Sequence, residues 1–439
     1  MKKIRYFVRL TLAFLKRFKG LLLLGTIFGI LSFFVIRFAS SAFFYRGSEV
    51  IGIPGRYTPE TLPESILNLI ADGLTSIDQN GIVAPSLARS WETKDDGKTW
   101  VFYLKEGIYW HDGEPLTSKS VIYEFSDVSI EKPDNLTLIF KLKNPFSPYP
   151  SVVSKPTFRK GLIGTDKWRV KKIVVSGGFV QKLTIVDNDK NKITYRFYPT
   201  EDRAKLAFKL GEVDKLYELF NPKPFLNWNT ASITSLDNSN EVVTIFFNTK
   251  DPVLSDKSLR QALSYSIDKD TLSDSRAFSP INPNSWAYNP LVKKYNLDLQ
   301  RASELQEEVE EGLKTQTIKL VTSPILLEEA EKIASDWRKI GINTLVQVSS
   351  IIPSQFQAYL TILDIPKDPD QYSLWHSTQT STNISGLSNP RIDKLLEDGR
   401  SQLAFEERKK IYLDFQRFLL EDPPAVFLFH PRTFSVSRN

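Results

Sequence analysis

The side chains best suited to chemistry sit in one short loop. DIPKDPDQYSLWH, residues 364–376, brings together Asp364, Asp368, Asp370, Tyr372, Trp375 and His376. Trp375, with Trp286 and Tyr288 from an earlier loop, could wall an extended ligand, although each such aromatic is more often plain packing. Asp368 and Asp370 flank a proline, and carboxylates in an Asp-Pro-Asp string are more often turn formers than ligands. No catalytic set surrounds this loop. The three histidines, His111, His376 and His430, have no metal-ligand spacing to one another, and cysteine is absent. H-E-x-x-H and G-x-S-x-G do not occur, and Gly97-Lys98-Thr99 lacks the upstream glycine of a phosphate loop. These residues predict no enzyme, and neither a cofactor nor a metal is expected. Only a hydrolase built from scattered carboxylates stays open.

The elements that must position such a loop follow from size and charge. At 439 residues the chain exceeds what one core usually serves, so two or more lobes are expected. Hydrophobic residues at 41% and charged residues at 25% are ordinary for a globular protein. The net charge of +6 is concentrated before Gly20, where seven Lys and Arg stand without an acid; the remainder carries 6 − 7 = −1. A phosphate-binding stripe is therefore not supported, and no nucleic-acid partner is expected. The basic prefix leads into LLLLGTIFGILSFFVI, residues 21–36, which carries no charge. As a helix these 16 residues span about 24 Å against a hydrocarbon core of about 30 Å, and Phe38 and 42–44 extend them if Arg37 snorkels. Basic residues stay cytoplasmic, so this orientation exports the rest from a single-pass, bilayer-embedded anchor. A cleaved signal peptide competes, but no clean A-x-A site follows; a buried core helix gains nothing from the basic prefix.

Further along, Trp91 leads into Lys94-Asp-Asp-Gly97-Lys98, whose Asp-Gly predicts a tight hairpin. Trp100, Phe102 and Leu104 alternate as the buried face of its second strand. Thr117 or Ser118 is expected to cap a short helix presenting Val121, Ile122 and Phe125. Residues 49–55 read as a strand, 62–74 as a helix, 135–142 as a strand, and 144–150 as a Pro-rich break. Residues 192–198 then predict a strand, Thr200 a cap, 204–210 a helix, and Gly211 its stop. A second lobe is expected near Glu241. Residues 242–248 form a continuous apolar run suited to a parallel, two-face-covered strand, and Asp256 caps a helix with Leu259, Ala262, Leu263 and Ile267 on one side. A strand at 317–322, a helix at 327–340 closed by Gly341, and a strand at 342–348 imply a parallel crossover. A final helix at 401–420 and a last strand at 425–429 complete two α/β lobes facing a cleft.

Several of these strings resemble a known family. L-A-x-S-W-E, D-D-G-K-T, F-x-L-K-x-G, W-H-D-G and P-L-T within 85–125, then FNTKDPVLSDKSLRQALSYSIDKDTL, then D-P-D-x-Y-S-x-W-H-S, are similar to family 5 extracytoplasmic solute-binding proteins, which serve ABC importers of peptides and nickel. The resemblance implies a type II periplasmic-binding-protein-like fold with a small sheet-rich subdomain in the first lobe. The charge and hydropathy pattern sets off a tail and anchor (1–45), and the resemblance divides the rest into lobe I (46–240, front subdomain about 75–150), lobe II (241–400), and a helix and strand returning toward lobe I (401–439). It also implies an extracytoplasmic, periplasmic or cell-surface location, ABC permease partners, and a cleft that takes an extended solute, with oligopeptide the leading ligand. Asn248, ending the 242–248 strand, joins the cleft candidates. In peptide-binding members an aspartate three residues before the D-P pair holds the α-ammonium. Ile365 stands there, so Asp364 substitutes only if the register slips by one. The family's G-T-G-P-Y motif is here Gly164-Thr-Asp-Lys-Trp168. Two other readings stay open: an anchored receptor or envelope interaction protein that kept the fold without transport, and a binder of metal chelates such as nickel complexes.

Overall fold

The computed structural model describes residues 15–21, 24–34, 47–309, 317–353 and 355–439. Its largest sheet has seven strands in the order β12-β18-β11-β1-β10-β9-β8. At its centre β1 (Ser48–Pro54) runs parallel to both β10 (Lys192–Tyr198) and β11 (Lys215–Leu219). The expected β-α unit connects these two. The Thr200 hydroxyl accepts the Arg203 N–H at the head of helix Glu201–Lys209, and Gly211 at φ 77° ends it. The helix thus crosses over β1, burying Ala204, Ala207 and Phe208. β8 (Arg169–Ser176) and β9 (Phe179–Val186) form a hairpin at one edge, and β12 (Ala231–Asp237) with β18 (Arg432–Arg438) close the other.

A four-stranded sheet, β4-β5-β7-β6, makes the front unit. β4 (Ala88–Lys94) and β5 (Thr99–Leu104) form the expected hairpin, with Asp95, Asp96 and Gly97 all at positive φ. β7 (Thr137–Lys141) and β6 (Ser129–Glu131) follow, and Trp100, Phe102, Leu104, Phe140 and Tyr149 share one buried cluster. A two-stranded ribbon, β2 (Thr75–Ile77) with β3 (Val83–Pro85), stands beside it. Two expected helices are cut short. Residues 62–74 keep only Glu64–Leu67, because the carbonyls of Leu69 and Ile70 accept the N–H groups of Trp168 and Asp166 instead of a next turn. Residues 117–125 keep one turn, in which Thr117 accepts from Ser120 and Val121; the carbonyls of Val121 and Ile122 are taken by Lys132 Nζ and Thr157 Oγ1. Val121 is buried as expected, whereas Ile122 is exposed.

The second large sheet runs β15-β14-β16-β13-β17. β14 (Ile318–Thr322) and β15 (Thr344–Val348) pair parallel across helix Leu327–Lys339, whose Ala330, Ile333, Ala334 and Trp337 point inward as expected. Asp256 caps helix Lys257–Ser266 through the Leu259 N–H at 2.8 Å. β13 (Glu241–Phe247) is buried on both faces, but its neighbours β16 (Ala358–Asp364) and β17 (Ala425–Phe429) are antiparallel to it. Cover on both faces, by a cluster around Trp337 and another around Phe415, makes the run continuously apolar without fixing strand direction. The last helix is Phe405–Glu421, preceded by a separate one at Pro390–Ser401. β17 stays in this sheet; the return to the first sheet is made by β18, which the sequence reading lacked.

The two large sheets are joined by residues 238–240 and 430–431, which lie side by side with the Asn238 N–H donated to the Pro431 carbonyl at 2.9 Å. Among the described residues no single helix is long and apolar enough to cross a membrane; Leu15–Leu21 and Leu24–Phe34, bent by 40°, pass that test only together. The expected extension of the anchor at 35–44 lies outside the described residues.

Gly164 explains why His111 is structural. The Gly164 N–H donates to His111 Nδ1 at 3.3 Å, leaving Nε2 to donate to the Asp166 carbonyl at 2.6 Å. A Cβ on Gly164 would stand 2.0 Å from the Ile70 carbonyl oxygen. Gly164→Ala is therefore expected to destabilise the protein by about 1–3 kcal/mol, read from the urea midpoint, and an unchanged midpoint would refute this close approach.

Candidate ligand cleft

The 364–376 loop springs from the end of β16. Ile365 is buried and donates its N–H to the Asn240 carbonyl at 2.7 Å, which fixes Asp364 as the last outward-facing residue of the strand. The two other aspartates build the turn. Asp368 Oδ1 accepts the Asp370 N–H at 2.9 Å, and Asp370 Oδ1 accepts the Tyr372 N–H at 3.2 Å. Each is also paired to an arginine of the C-terminal helices. Asp368 meets Arg408 through two bonds of 2.5 and 3.1 Å, and Asp370 meets Arg400 Nε at 2.9 Å. Burial pushes the Asp370 carboxyl up against the pull of Arg400. Burial also works against the Arg408 charge, but Asp368 outweighs it and holds the guanidinium protonated.

The other expected site residues separate into rim and core. The Tyr372 ring stacks on His376 at 3.9 Å. His376 is itself buried, with Nδ1 2.8 Å from Thr378 Oγ1 and Nε2 3.3 Å from Glu397. Trp375 is fully buried between Phe246 and Phe427, its Nε1–H donated to Gln371 Oε1 at 2.8 Å. It supports the loop from beneath, inside the core. Asn248 spends its amide on the Phe356 carbonyl at 3.0 Å and its Oδ1 on the Lys250 N–H. Trp286 and Tyr288 are half-buried; the Trp286 ring lies 4.7 Å from Phe405, and the Trp286 backbone N–H reaches the Asn80 carbonyl of the front unit at 2.9 Å. Burial raises the Tyr288 phenol.

Asp364 differs from its neighbours. It is exposed, has no ion pair among the described residues, and stands opposite Glu241 in the β13–β16 register. Burial, then Asp364, then Glu218 push the Glu241 carboxyl from its ordinary 4.5 to about 6. Glu218 belongs to β11 of the other large sheet, at φ 59°, and burial raises its carboxyl too. Burial together with Glu218 and Glu241 lifts the Tyr57 phenol. Three carboxylates from both sheets thus converge beside the crossing. Next to them a cavity of about 190 Å³ opens between Ile77, Asp78, Gln79 and Gly81 of the front unit, Asn240 of the crossing segment, and Asn282, Ser285 and Lys367 of the second lobe. Lys367 also bridges the lobes to Glu64 at 2.7 Å.

Glu218, Glu241, Arg400, Arg408 and Lys367 were not singled out from the sequence. Glu218 and Glu241 are brought together only by the sheet junction, while the 400s arginines carried a weak signal, being basic residues on helices that follow an acidic loop. Among the described residues no group of three His, Asp or Glu is arranged to hold a metal ion.

The contrast between the aspartates is testable. Asp368→Asn strands a buried guanidinium and is expected to cost about 3–5 kcal/mol in urea unfolding, whereas Asp364→Asn should stay within about 0.5 kcal/mol. Equal effects would refute the division of labour. Because the Glu241 carboxyl is higher in the folded than in the unfolded chain, the stability it contributes is full below pH 4.5 and is lost as pH rises through about 6. Glu241→Gln should remove that loss, and an unaltered pH profile would count against the carboxylate cluster.

Comparison with known proteins gives a consistent answer. The model for bacterial extracellular solute-binding proteins, family 5, matches residues 83–383. The oligopeptide-binding protein AppA of Bacillus subtilis is 23% identical over 85% of this chain and 83% of its own length. Its structure in complex with a nonapeptide superposes with a TM-score of 0.69 at 22% identity, covering 90% of this chain and 94% of that one. NikZ from Campylobacter jejuni, solved with Ni(L-His), superposes with a TM-score of 0.73 at 22% identity over 89% and 94%. These structures share the fold of the chain over about nine-tenths of its length, and with a family match spanning most of both large sheets, the chain belongs to family 5 of the bacterial extracellular solute-binding proteins.

Proposed function

We propose that the protein is the extracytoplasmic binding component of an ABC importer and that its cleft takes an extended solute, oligopeptide first among the candidates. The observation that carries the ligand class is the unpaired, exposed carboxylate of Asp364 at the cleft edge, beside Glu241 and Glu218. An α-ammonium there would gain a charge-assisted hydrogen bond and relieve like-charge crowding. The remainder of an extended ligand would be met by main-chain groups along the cleft, which gives tolerance to its side chains. The nonapeptide complex of the oligopeptide-binding protein AppA supports this choice, and the Ni(L-His) complex of NikZ marks the competing one. The basic prefix and the apolar helices Leu15–Leu21 and Leu24–Phe34 would hold the protein at the bilayer beside its permease.

The decisive measurement is native mass spectrometry of the full chain, purified in detergent from its own host and then exposed to a synthetic mixture of tri- to nonapeptides. Bound peptides are expected. N-terminal acetylation of the peptides, or Asp364→Asn, should each weaken binding about 10- to 100-fold. A clean mass that resists the mixture, or binding of nickel–histidine chelate alone, would sink the peptide reading.

A further inference from the structure

Arg400 occupies a position no ligand-binding argument requires. It ends helix Pro390–Ser401, and its Nε–H is shared between the two oxygens of Asp370 at 3.1 and 2.9 Å. Its guanidinium carbon lies 4.0 Å from the Tyr372 ring centroid and 5.1 Å from that of Phe146. Phe146 belongs to the segment that closes the front unit, and the next residue reinforces the contact: the Ser147 N–H donates to the Arg400 carbonyl at 2.6 Å, and its hydroxyl to the Gly399 carbonyl at 3.2 Å. One side chain therefore joins the 364–376 loop to the opposite lobe.

The partners divide by lobe. Asp370 and Tyr372 stay with Arg400 whatever the lobes do, since all three belong to the second lobe. Phe146 and Ser147 reach it only while the lobes are together. An aromatic face attracts a partly desolvated guanidinium, and a carboxylate already fixing that guanidinium removes most of the ordering cost. A group shared between a binding loop and an interlobe seam links their equilibria, because whatever orders one favours the other.

We infer that Arg400 is a positioning residue that couples the 364–376 loop to lobe closure, clasping Phe146 and Ser147 when the cleft shuts. This rests on the reading of the cleft as the ligand site, but the seam can be tested without any ligand.

The absence of cysteine makes the test clean. Lys119→Cys on the front unit and Glu331→Cys on the second lobe, both exposed, would carry a donor and an acceptor dye on the full chain in detergent. Without ligand, Phe146→Leu, which keeps bulk but removes the π face, should shift the single-molecule distribution toward lower transfer efficiency. Arg400→Ala should shift it further, and Arg400→Lys should restore part of the change. With the synthetic peptide mixture, Phe146→Leu should release peptide about five- to tenfold faster at an unaltered association rate. A purely structural Arg400 would lower the unfolding midpoint and leave the transfer distribution unmoved, and that result would overturn the inference. A wild type that does not respond to the peptides would count against the peptide ligand alone, with the ligand-free comparison still deciding the role of Arg400.

Discussion

The constraint on which the molecule depends is that only two short segments, 238–240 and 430–431, carry the chain between its large sheets. They are bound to each other and to the strands they serve. The Asn238 N–H reaches the Pro431 carbonyl, His430 Nδ1 lies 2.7 Å from the Glu241 carbonyl, and Arg432 pairs with Asp237 at 2.7 Å and Asp274 at 3.0 Å. Burial lowers the His430 pKa, so the neutral ring donates to the carbonyl as a fixed pin. β13 departs from this junction, and β16 and β17 return to it. Whatever hangs on the ends of those strands is therefore held at the mouth between the lobes, and the 364–376 loop is such a piece.

The junction also explains the uneven treatment of charge. Asp368 and Asp370 are withdrawn from solvent and each has an arginine, so their burial is compensated inside one lobe. Glu218, Glu241 and Asp364 come from strand ends of both sheets and have no cation of their own among the described residues. Burial first, and then the like charges of Asp364 and Glu218, raise the proton affinity of Glu241. Such a cluster is tolerable where solvent or a cationic group can reach it, which at this junction means the open face of the cleft.

Much of the fold was legible because local signals agreed with tertiary ones. Thr200, Gly211, Asp256 and Gly341 punctuate helices where their side-chain chemistry or positive φ says they should. The failures share a cause. At 62–74 and 117–125 the helix pattern is present, but carbonyls a helix would use are claimed by distant donors such as Trp168, Lys132 and Thr157, whose proximity no local spacing reveals. β13 shows the limit of hydropathy: two-face burial is readable, strand direction is not. For the site, the loop itself was visible, whereas Trp375 and Asn248 turned out to serve packing and backbone satisfaction, and the partners Arg400 and Arg408 lie 30 and 40 residues downstream of the aspartates they meet.

The polar contacts named across the seam between the lobes are individually weak. Lys367 with Glu64 is an exposed pair, of a kind worth about 0–1 kcal/mol. The Ser147 to Arg400 and Trp286 to Asn80 backbone bonds replace bonds to water and net about 0.5–1.5 kcal/mol each. The Phe146 face and the bond from the Ser147 hydroxyl to the Gly399 carbonyl add contacts of similarly modest size. On the ligand reading proposed above, a cationic solute beside Asp364, Glu241 and Glu218 would contribute both its own contacts and relief of their mutual repulsion.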